Sequence, residues 1–408
     1  MGLFNFLRDN ARWLSAGVLL TFLSSFGQTF FISIFAGEIR ETFELSHGEW
    51  GGIYTLGTSA SAVVMLWAGG LTDRFRSRTL GAVVLAMLAS ACLLMALNTW
   101  AALLPFVIFA LRFSGQGMVS HIAVVSMSRW FVATRGRALS VAGLGFAIGE
   151  ALLPISFVSL MLIMDWRWLW VGAVMVSLVS IPILLTLLKQ ERTPQSHAEE
   201  DHANGMLNKH WSRKDVMAHP MFWFMVPALL GPSAFNTAFF FQQVHFAEIK
   251  GWAHIDLVAL FPVYTMAAVA VMVASGWMLD RFGSARLIPW YQLPMVLGFV
   301  AFALGQSITS TFVGMLFLAM TTGANATLPN AFWAEFYGTR HLGSIKAMAA
   351  AIMVLGSAIG PGITGVLIDA GIGLESQYLG VAAFFVLATV CMAVGVGRSA
   401  PDLPPSAA

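Results

Sequence analysis

The sequence predicts an all-α membrane protein with twelve transmembrane helices in two pseudo-symmetric six-helix bundles. Three observations predict this fold: a composition of 58% hydrophobic and 10% charged residues, twelve long apolar runs, and a duplicated sequence pattern. Soluble proteins have roughly 25% charged residues, so a chain with so few charges cannot cover itself with a polar surface. A helix needs about 20 apolar residues to cross a hydrocarbon layer of roughly 30 Å.

The apolar runs form two sets of six, separated by a polar segment. They lie roughly at Trp13–Ala36, Glu49–Thr72, Thr79–Asn98, Ala101–Ser128, Ala138–Met161, Trp166–Leu188, Pro220–His245, Asp256–Leu279, Ala285–Gln306, Thr309–Phe336, Leu342–Asp369 and Ser376–Val396. We therefore expect an N-terminal bundle at 1–188, a cytoplasmic linker at 189–219, a C-terminal bundle at 220–397 and a tail at 398–408. Three prolines in the tail predict that it is disordered.

The two halves repeat one another. Asp73 opens an Asp-Arg-Phe triplet that returns at Asp280, an offset of 280 − 73 = 207 residues, and Gly145 returns as Gly356 at an offset of 211. A tandem duplication of a unit of about 200 residues is the construction principle of many secondary transporters.

The basic residues predict the orientation, because Lys and Arg collect on the cytoplasmic side of a membrane. With the N-terminus inside, 18 of the 22 Lys and Arg residues lie in cytoplasmic segments, three lie outside, and Arg112 lies within a run. We expect both termini to be cytoplasmic and the protein to lie in a bacterial inner membrane. The net charge of +2 then reflects topology and not binding of nucleic acid.

The sequence contains none of the motifs that would indicate an enzyme. It has no Gly-x-x-x-x-Gly-Lys phosphate loop, no His, Cys and carboxylate cluster with metal-ligand spacing, and no nucleophile elbow. Its two cysteines, Cys92 and Cys391, lie deep in apolar runs, which is typical of packing residues. We expect no catalytic residue, no cofactor and no metal.

Loop and helix motifs resemble those of the major facilitator superfamily, and the resemblance covers nearly the whole chain. The stretch from Gly69 to Arg78 matches the family's loop signature, although Arg76 stands where the family usually has glycine. A second signature, an arginine followed by Gly-Gln-Gly, lies at Arg112 to Gly117. In proton-coupled members of the family this arginine is implicated in coupling. The resemblance implies transport by alternating access between the two bundles.

Two further motifs indicate to which branch of the family the chain is most similar. The fifth run has Glu150 where drug/proton antiporters carry proline, which argues against drug efflux. Trp130-Phe131 followed by Arg135-Gly136-Arg137 is similar to organic-anion and monocarboxylate branches.

Arg112 and Glu150 are the two charged residues expected near the middle of the membrane. They lie 17 and 13 residues from Arg129 and Arg137, which is about 26 and 20 Å at 1.5 Å per residue. Charges there are costly and usually pair or line a wet cavity. We predict that the two approach within salt-bridge or water-bridged distance and that Glu150 exchanges the coupled proton. A permanent structural ion pair and direct substrate binding by Arg112 are the alternatives.

Other polar residues in the runs are candidates for supporting roles. His121 lies nine residues after Arg112, on the opposite helix face, so it is either a packing or hydrogen-bonded residue or a proton relay. Buried amides need hydrogen-bond partners, and we expect five residues besides Arg112 to bind substrate: Gln28, Gln116, Asn236, Asn325 and Tyr264.

The duplicated loops predict a cytoplasmic gate, because a carboxylate at a helix end can cap a neighbouring helix and pair with guanidinium groups. Its expected members are Asp73, Arg74, Arg78, Asp280, Arg281, Glu335 and Arg340. The alternative is that these residues only mark topology.

The sequence as a whole favours a secondary active transporter that moves a small carboxylate or other organic anion with protons as a symporter. The alternatives are proton-antiport efflux of a drug-like or apolar metabolite and, in another class, a non-transporting membrane sensor. The expected partners are a small-molecule substrate, protons and the lipid bilayer, and the expected functional state is a monomer.

Overall fold

The computed structural model describes residues 3–131, 134–190, 204–338 and 340–403, and the side chains of Leu3, Phe4, Asp73, Arg135 and Asp280 are not described. Within these residues all regular secondary structure is helical. The chain divides into two compact units. Unit 1 contains residues 1–198 and 240–245, and unit 2 contains residues 199–239 and 246–408.

Unit 1 contains the first six spans. The first span is a bent pair of helices, Ala11–Gly27 and Thr29–Phe43, with an angle of 49° between them. The next five are His47–Ala68, Ser77–Leu97, Ala101–Trp130, Arg135–Met161 and Trp166–Leu187.

Unit 2 contains the remaining spans. The seventh runs over Pro220–Phe241, and the short helices Gln243–Ile249 and His254–Val258 follow it. The eighth to twelfth spans are Phe261–Phe282, Leu293–Leu304, Ile308–Tyr337, Leu342–Asp369 and Leu374–Ser399.

The predicted all-α fold is confirmed, and helices lie at all twelve expected positions within the described residues. By length and hydropathy, nine of the described helices can cross a membrane, or ten with the bent first span. The second span, His47–Ala68, carries eight Gly, Ser and Thr residues, which dilute its hydropathy. The ninth is interrupted, because the helix Ser284–Leu287 and the helix Leu293–Leu304 are joined by turns.

Glycines let helices approach closely at matching places in the two units. A Cβ atom at Gly145 or Gly149 of the fifth span would overlap atoms of the first span. The same holds for Gly356 and Gly360 of the eleventh span against the seventh. Small residues at such crossings allow van der Waals contact between backbones, which holds membrane helices together. The sequence duplication is therefore repeated in the packing of each unit.

The expected linker and tail contain ordered structure where they are described. Ser212 and Asp215 form a capping box that begins the helix Arg213–Ala218, and hydrogen bonds from Ser212 lower the pKa of Asp215. Residues 191–203 of the linker lie outside the described residues. The last helix runs to Ser399 and continues as a turn over Ala400–Asp402, so the described chain is regular to 402, beyond the expected start of disorder at 398.

Candidate functional site

A break in the first span leaves backbone groups inside unit 1 without helical hydrogen bonds. The turn Ser24–Gly27 is followed by Gln28 in an extended conformation, and a new helix begins at Thr29. The N–H of Phe31 donates to the carbonyl of Gln28, so the carbonyl of Gly27 lies outside the helical hydrogen-bond ladder. In a membrane every such group needs a partner from the protein.

Arg112 supplies that partner from the fourth span. Its Nη1 donates to the carbonyl of Gly27 at 3.1 Å and to the hydroxyl of Thr29 at 3.3 Å. The guanidinium carbon lies 5.3 Å from the ring centroid of Tyr54, a cation–π contact. The side chain is 1% exposed. A cation is favourable at a carbonyl that ends a helical segment, because the helix dipole is negative there.

The local sequence explains why the fourth span reaches the break. Arg112–Val119 is a π-helical segment, a distortion that is common at functional sites. Gly115 and Gly27 face each other, because a Cβ atom built on Gly27 would lie 2.8 Å from the Cα of Gly115. The glycines after Arg112 thus let the two backbones meet, and the arginine side chain can reach the Gly27 carbonyl.

Thr29 and Tyr54 extend the polar contacts of Arg112. Their hydroxyl groups share a hydrogen bond of 2.5 Å, and both residues are buried. Neither residue was predicted from the sequence to belong to the site. The available signal was a threonine directly after a Gly-Gln pair within an apolar run, where a hydroxyl must find a partner.

The charge of Arg112 is not neutralised by a carboxylate within the described part of the chain. Its direct partners are a carbonyl, a hydroxyl and an aromatic ring, and no described atom forms a hydrogen bond with its buried Nε. Glu150 lies half-buried in the fifth span. The Arg112 hydrogen bonds run to the first span, and the pairing of Arg112 with Glu150 stays a prediction.

His121 contacts the end of the second span. A ring nitrogen, Nε2, lies 3.2 Å from the carbonyl oxygen of Gly69. Arg129, two turns further along the fourth span, donates from Nη1 to the carbonyl of Thr72 at 2.7 Å. Two side chains of the fourth span therefore hold the segment that opens the Asp73 loop. This contact gives His121 a structural role, and its role as a proton relay stays a prediction.

The amides expected to bind substrate in unit 1 flank the break. Gln28 occupies the break itself, and Gln116 lies in the π-helical segment of the fourth span. Both side chains are half-buried.

The expected substrate residues of unit 2 lie on three different spans. Asn236 ends a π-helical segment, Pro232–Asn236, and its buried Oδ1 has no hydrogen-bond partner among the described residues. Asn325 accepts a hydrogen bond from the hydroxyl of Tyr291 at 3.2 Å. Tyr264 is 1% exposed, and its hydroxyl donates to Thr322 at 3.2 Å.

The gate residues of unit 1 are described only in part. The side chain of Asp73 lies outside the described residues, and Arg74 is exposed. The Nε of Arg78 donates to the carbonyl of Leu185 in the sixth span at 3.2 Å, which ties the third span to the sixth.

In unit 2, Glu335 caps a helix as expected of a gate carboxylate. Its Oε2 accepts from the N–H of Ser284 at 3.1 Å, where the helix Ser284–Leu287 begins. Arg281 lies over the ring of Trp277, and Arg340 is exposed. The Asp280 side chain lies outside the described residues, so its role in the cytoplasmic gate stays a prediction.

The described residues contain no group of three or more His, Cys, Asp or Glu side chains placed to hold a metal ion. The polar chemistry of the site consists of the guanidinium, the hydroxyls and the amides described above.

Membrane-length helices in two units with related packing, and a buried charge beside a broken helix, define the class of secondary transporters. The sequence model of the Major Facilitator Superfamily matches residues 17–320. The chain therefore belongs to this superfamily. No curated protein matches the chain by sequence.

Solved structures of transporters share the fold. A bacterial homolog of the human lysosomal transporter Spinster, in an inward-facing and occupied conformation, has 15% identity and a TM-score of 0.72, over 96% of this chain and 98% of that one. The nucleoside transporter NupG has 13% identity and a TM-score of 0.71, over 95% and 98%. The human organic anion transporter MFSD10 (TETRAN) has 13% identity and a TM-score of 0.64, over 94% and 99%. At these identities the likeness extends to the fold alone.

Proposed function

We propose that this transporter carries small organic anions, with a carboxylate as the group recognised, and that protons drive the transport as symport. The observation that carries the proposal is the buried guanidinium of Arg112, which has no carboxylate partner among the described residues. A charged side chain at the centre of a bilayer costs at least about 2.5 kcal/mol on insertion scales, and such residues mark substrate or ion pathways.

The contacts of the guanidinium favour one geometry for the ligand. Nη1 is occupied by Gly27 and Thr29, whereas Nε has no partner. A carboxylate binds arginine through two parallel N–H···O bonds, and the edge that carries Nε offers such a pair. The Arg112 side chain is 1% exposed, so the proposed ligand reaches this edge only after the neighbouring helices separate, and it then binds without displacing the Gly27 carbonyl. Gln28 and Gln116, which flank the break, are the proposed hydrogen-bonding partners for the rest of the ligand.

Glu150 is the proposed proton carrier. It is an acidic residue within a membrane span, where a charged side chain is costly and marks an ion or substrate pathway. In a Glu150→Gln variant, proton-driven uptake should be lost while exchange of substrate for substrate continues. Unchanged pH dependence of uptake in this variant would rule out the coupling role.

The decisive experiment measures uptake in proteoliposomes under an inward proton gradient, with a panel of radiolabelled monocarboxylates and a panel of cationic dyes. The wild-type protein should accumulate at least one carboxylate. Arg112→Gln should abolish this uptake, and Arg112→Lys should weaken it, because lysine keeps the charge but loses the planar pair of donors. Arg8→Gln is the matched control, since Arg8 is exposed and pairs with its neighbour Asp9.

The main alternative is proton antiport of an apolar or cationic compound, which Glu150 would also serve. In that case the same proteoliposomes should transport dyes and not carboxylates, and Arg112→Gln should leave dye transport intact. This result would overturn the anion proposal. A liposome-reconstituted sensor would transport neither panel.

The oligomeric state, the membrane and the orientation of the protein are also part of the proposal. We propose a functional monomer in a bacterial inner membrane with both termini cytoplasmic, on the bias of the basic residues described above. Impermeant thiol reagents applied to cells that carry single cysteines at position 8 or 398 test the orientation, because labelling from outside would contradict it.

A further inference from the structure

Six residues of the second half of the sequence complete unit 1. The clasp segment, Phe240–His245, belongs to unit 1 although unit 2 residues flank it on both sides in the chain. The ring of Phe241 lies 4.7 Å from that of Tyr54 and stacks on that of Trp50 at 5.6 Å, measured between centroids. All three side chains are at most 1% exposed.

Hydrogen bonds hold the same segment. The amide of Gln243 is fully buried, and its Nε2 donates to the hydroxyl of Ser33 at 2.7 Å, to the carbonyl of Phe240 at 3.0 Å and to that of Phe30 at 3.3 Å. The hydroxyl of Ser33 also lies 2.7 Å from the carbonyl of Phe240. Buried polar groups of this kind are costly to leave without partners, so the network defines one position for the segment.

Both sets of contacts begin at Thr29. Its hydroxyl bonds to Tyr54, whose ring packs on Phe241. Its carbonyl accepts from the hydroxyl of Ser33 at 2.6 Å, and Ser33 contacts the clasp segment. The third contact of Thr29 is the donor Nη1 of Arg112. Thr29 therefore connects the buried charge to the clasp segment by two routes, and the contact between the guanidinium and the Tyr54 ring is a third route that does not pass through Thr29.

We propose that Thr29 is a positioning residue that transmits the state of Arg112 to the clasp segment. While Nη1 bonds to Thr29, the hydroxyl and carbonyl of this residue are fixed and the segment is held in unit 1. An anion bound at the Nε edge draws the guanidinium toward itself, lengthens the bond to Thr29 and loosens the segment. This last step rests on the proposed anion transport, whereas the connection through Thr29 does not.

The test uses hydrogen–deuterium exchange of the full-length protein in detergent, without ligand, read on peptides that cover 240–245. Thr29→Val keeps the shape of the side chain and removes the hydroxyl, and it should speed exchange in these peptides about tenfold, the effect of one lost buried hydrogen bond. Thr29→Ser keeps the hydroxyl and should exchange as the wild type does. Peptides of the third span, Ser77–Leu97, serve as the internal reference.

A double-mutant cycle with Arg112→Met then tests whether the two residues act together. If Arg112 acts through Thr29, the added effect of Thr29→Val should largely disappear in the Arg112→Met background. Tyr54→Phe is the substitute if Arg112→Met does not fold, because it removes only the bond to Thr29 and keeps the ring against Phe241. Its own effect and that of Thr29→Val should then be less than additive.

Three results would overturn the proposal: unchanged exchange in Thr29→Val, equal acceleration in Thr29→Ser, or additive effects in the cycle. None of these results depends on a ligand, so a failure here is separate from a failure of carboxylate uptake in the proteoliposomes. If uptake fails while the cycle shows coupling, the connection through Thr29 stands and the identity of the ligand is wrong.

Discussion

Two glycines on the fifth span provide a direct test of the helix packing in unit 1. Gly145 is buried against the first span, where an added Cβ atom would lie 2.8 Å from the backbone nitrogen of Phe22 and closer still to Val18 and Thr21. Gly143, two residues earlier on the same helix, is exposed, and a Cβ atom there would have nothing within 4 Å. Gly145→Ala and Gly143→Ala are therefore chemically identical changes in opposite surroundings.

The size of the effect follows from these distances. Non-bonded carbon atoms prefer about 3.5–4.0 Å, and the carbonyl oxygen of Val18 is the atom nearest to the added Cβ. Gly145→Ala therefore requires a shift of more than about 1 Å against this carbonyl, which overpacking data value at about 1–3 kcal/mol. The same methyl group disturbs the hydrogen bond from Thr21 to the carbonyl of Ala142, which adds about 1 kcal/mol. Replacing glycine by alanine within a helix raises the free energy of unfolding by roughly 0.5–1 kcal/mol in both variants. Gly145→Ala should thus destabilise by about 1–3 kcal/mol, whereas Gly143→Ala should stabilise slightly.

Thermal unfolding in detergent, followed by tryptophan fluorescence, measures the difference. The gain from replacing glycine is common to both variants, so they differ by about 2–4 kcal/mol. For a unit of this size 1 kcal/mol corresponds to about 2–4 °C in Tm, so the two Tm values should differ by about 4–16 °C. Inactivation half-lives at one fixed temperature serve the same purpose if unfolding is irreversible. Equal Tm values for the two variants would refute the close approach of the first and fifth spans.

Three further predictions concern groups away from the site. Burial lowers the pKa of His219 from 6.5, and its Nδ1 accepts a hydrogen bond from the N–H of Met221. The neutral imidazole should therefore stabilise the fold fully above about pH 6.5, and this stabilisation should be lost as the pH falls through the lowered pKa. A Tm that is flat from pH 7.5 to 5, or that changes equally in His219→Gln, would contradict this. Glu335→Ala removes the cap on Ser284 and should cost about 1 kcal/mol, with Glu335→Gln closer to the wild type by thermal unfolding. Cys92 is fully buried and should resist maleimide in the folded protein but react after denaturation, which mass spectrometry reads directly.

The positions of the helices could be predicted from the sequence because the bilayer imposes a length of apolar chain on each of them. The sequence did not predict where the helices are interrupted. The turns over Ile288–Gln292 follow an ordinary apolar pattern, and the amide of Gln292, which donates to the carbonyl of Ala228 at 2.7 Å, is fully buried in unit 2. A partner on another helix makes such a break tolerable, and hydropathy carries no information about it.

The charged residues of the candidate site could be predicted from the sequence, but their contacts could not. Arg112 stands out because a guanidinium in an apolar run is rare. Its partners, the carbonyl of Gly27 and the hydroxyl of Thr29, are invisible to a search for opposite charges, because one is a backbone atom and the other is a neutral side chain. The break at Gln28 creates the first of these partners, and neither Gln28 nor its neighbours signals a break as strongly as proline would.

The clasp segment also sets the order in which the protein can be assembled. The contiguous part of unit 1 ends at residue 198, and the segment that completes it begins at residue 240, which is 240 − 198 = 42 residues later in synthesis. At translation rates of about 5–20 residues per second, the segment is synthesised some seconds after the rest of unit 1. During this time Trp50, Tyr54 and Ser33 lack their contacts with it. One repeat of the chain thus donates a short element to the other, which resembles domain swapping in one direction only. A nascent first half therefore has a vacancy that only the second half of the same polypeptide is built to fill.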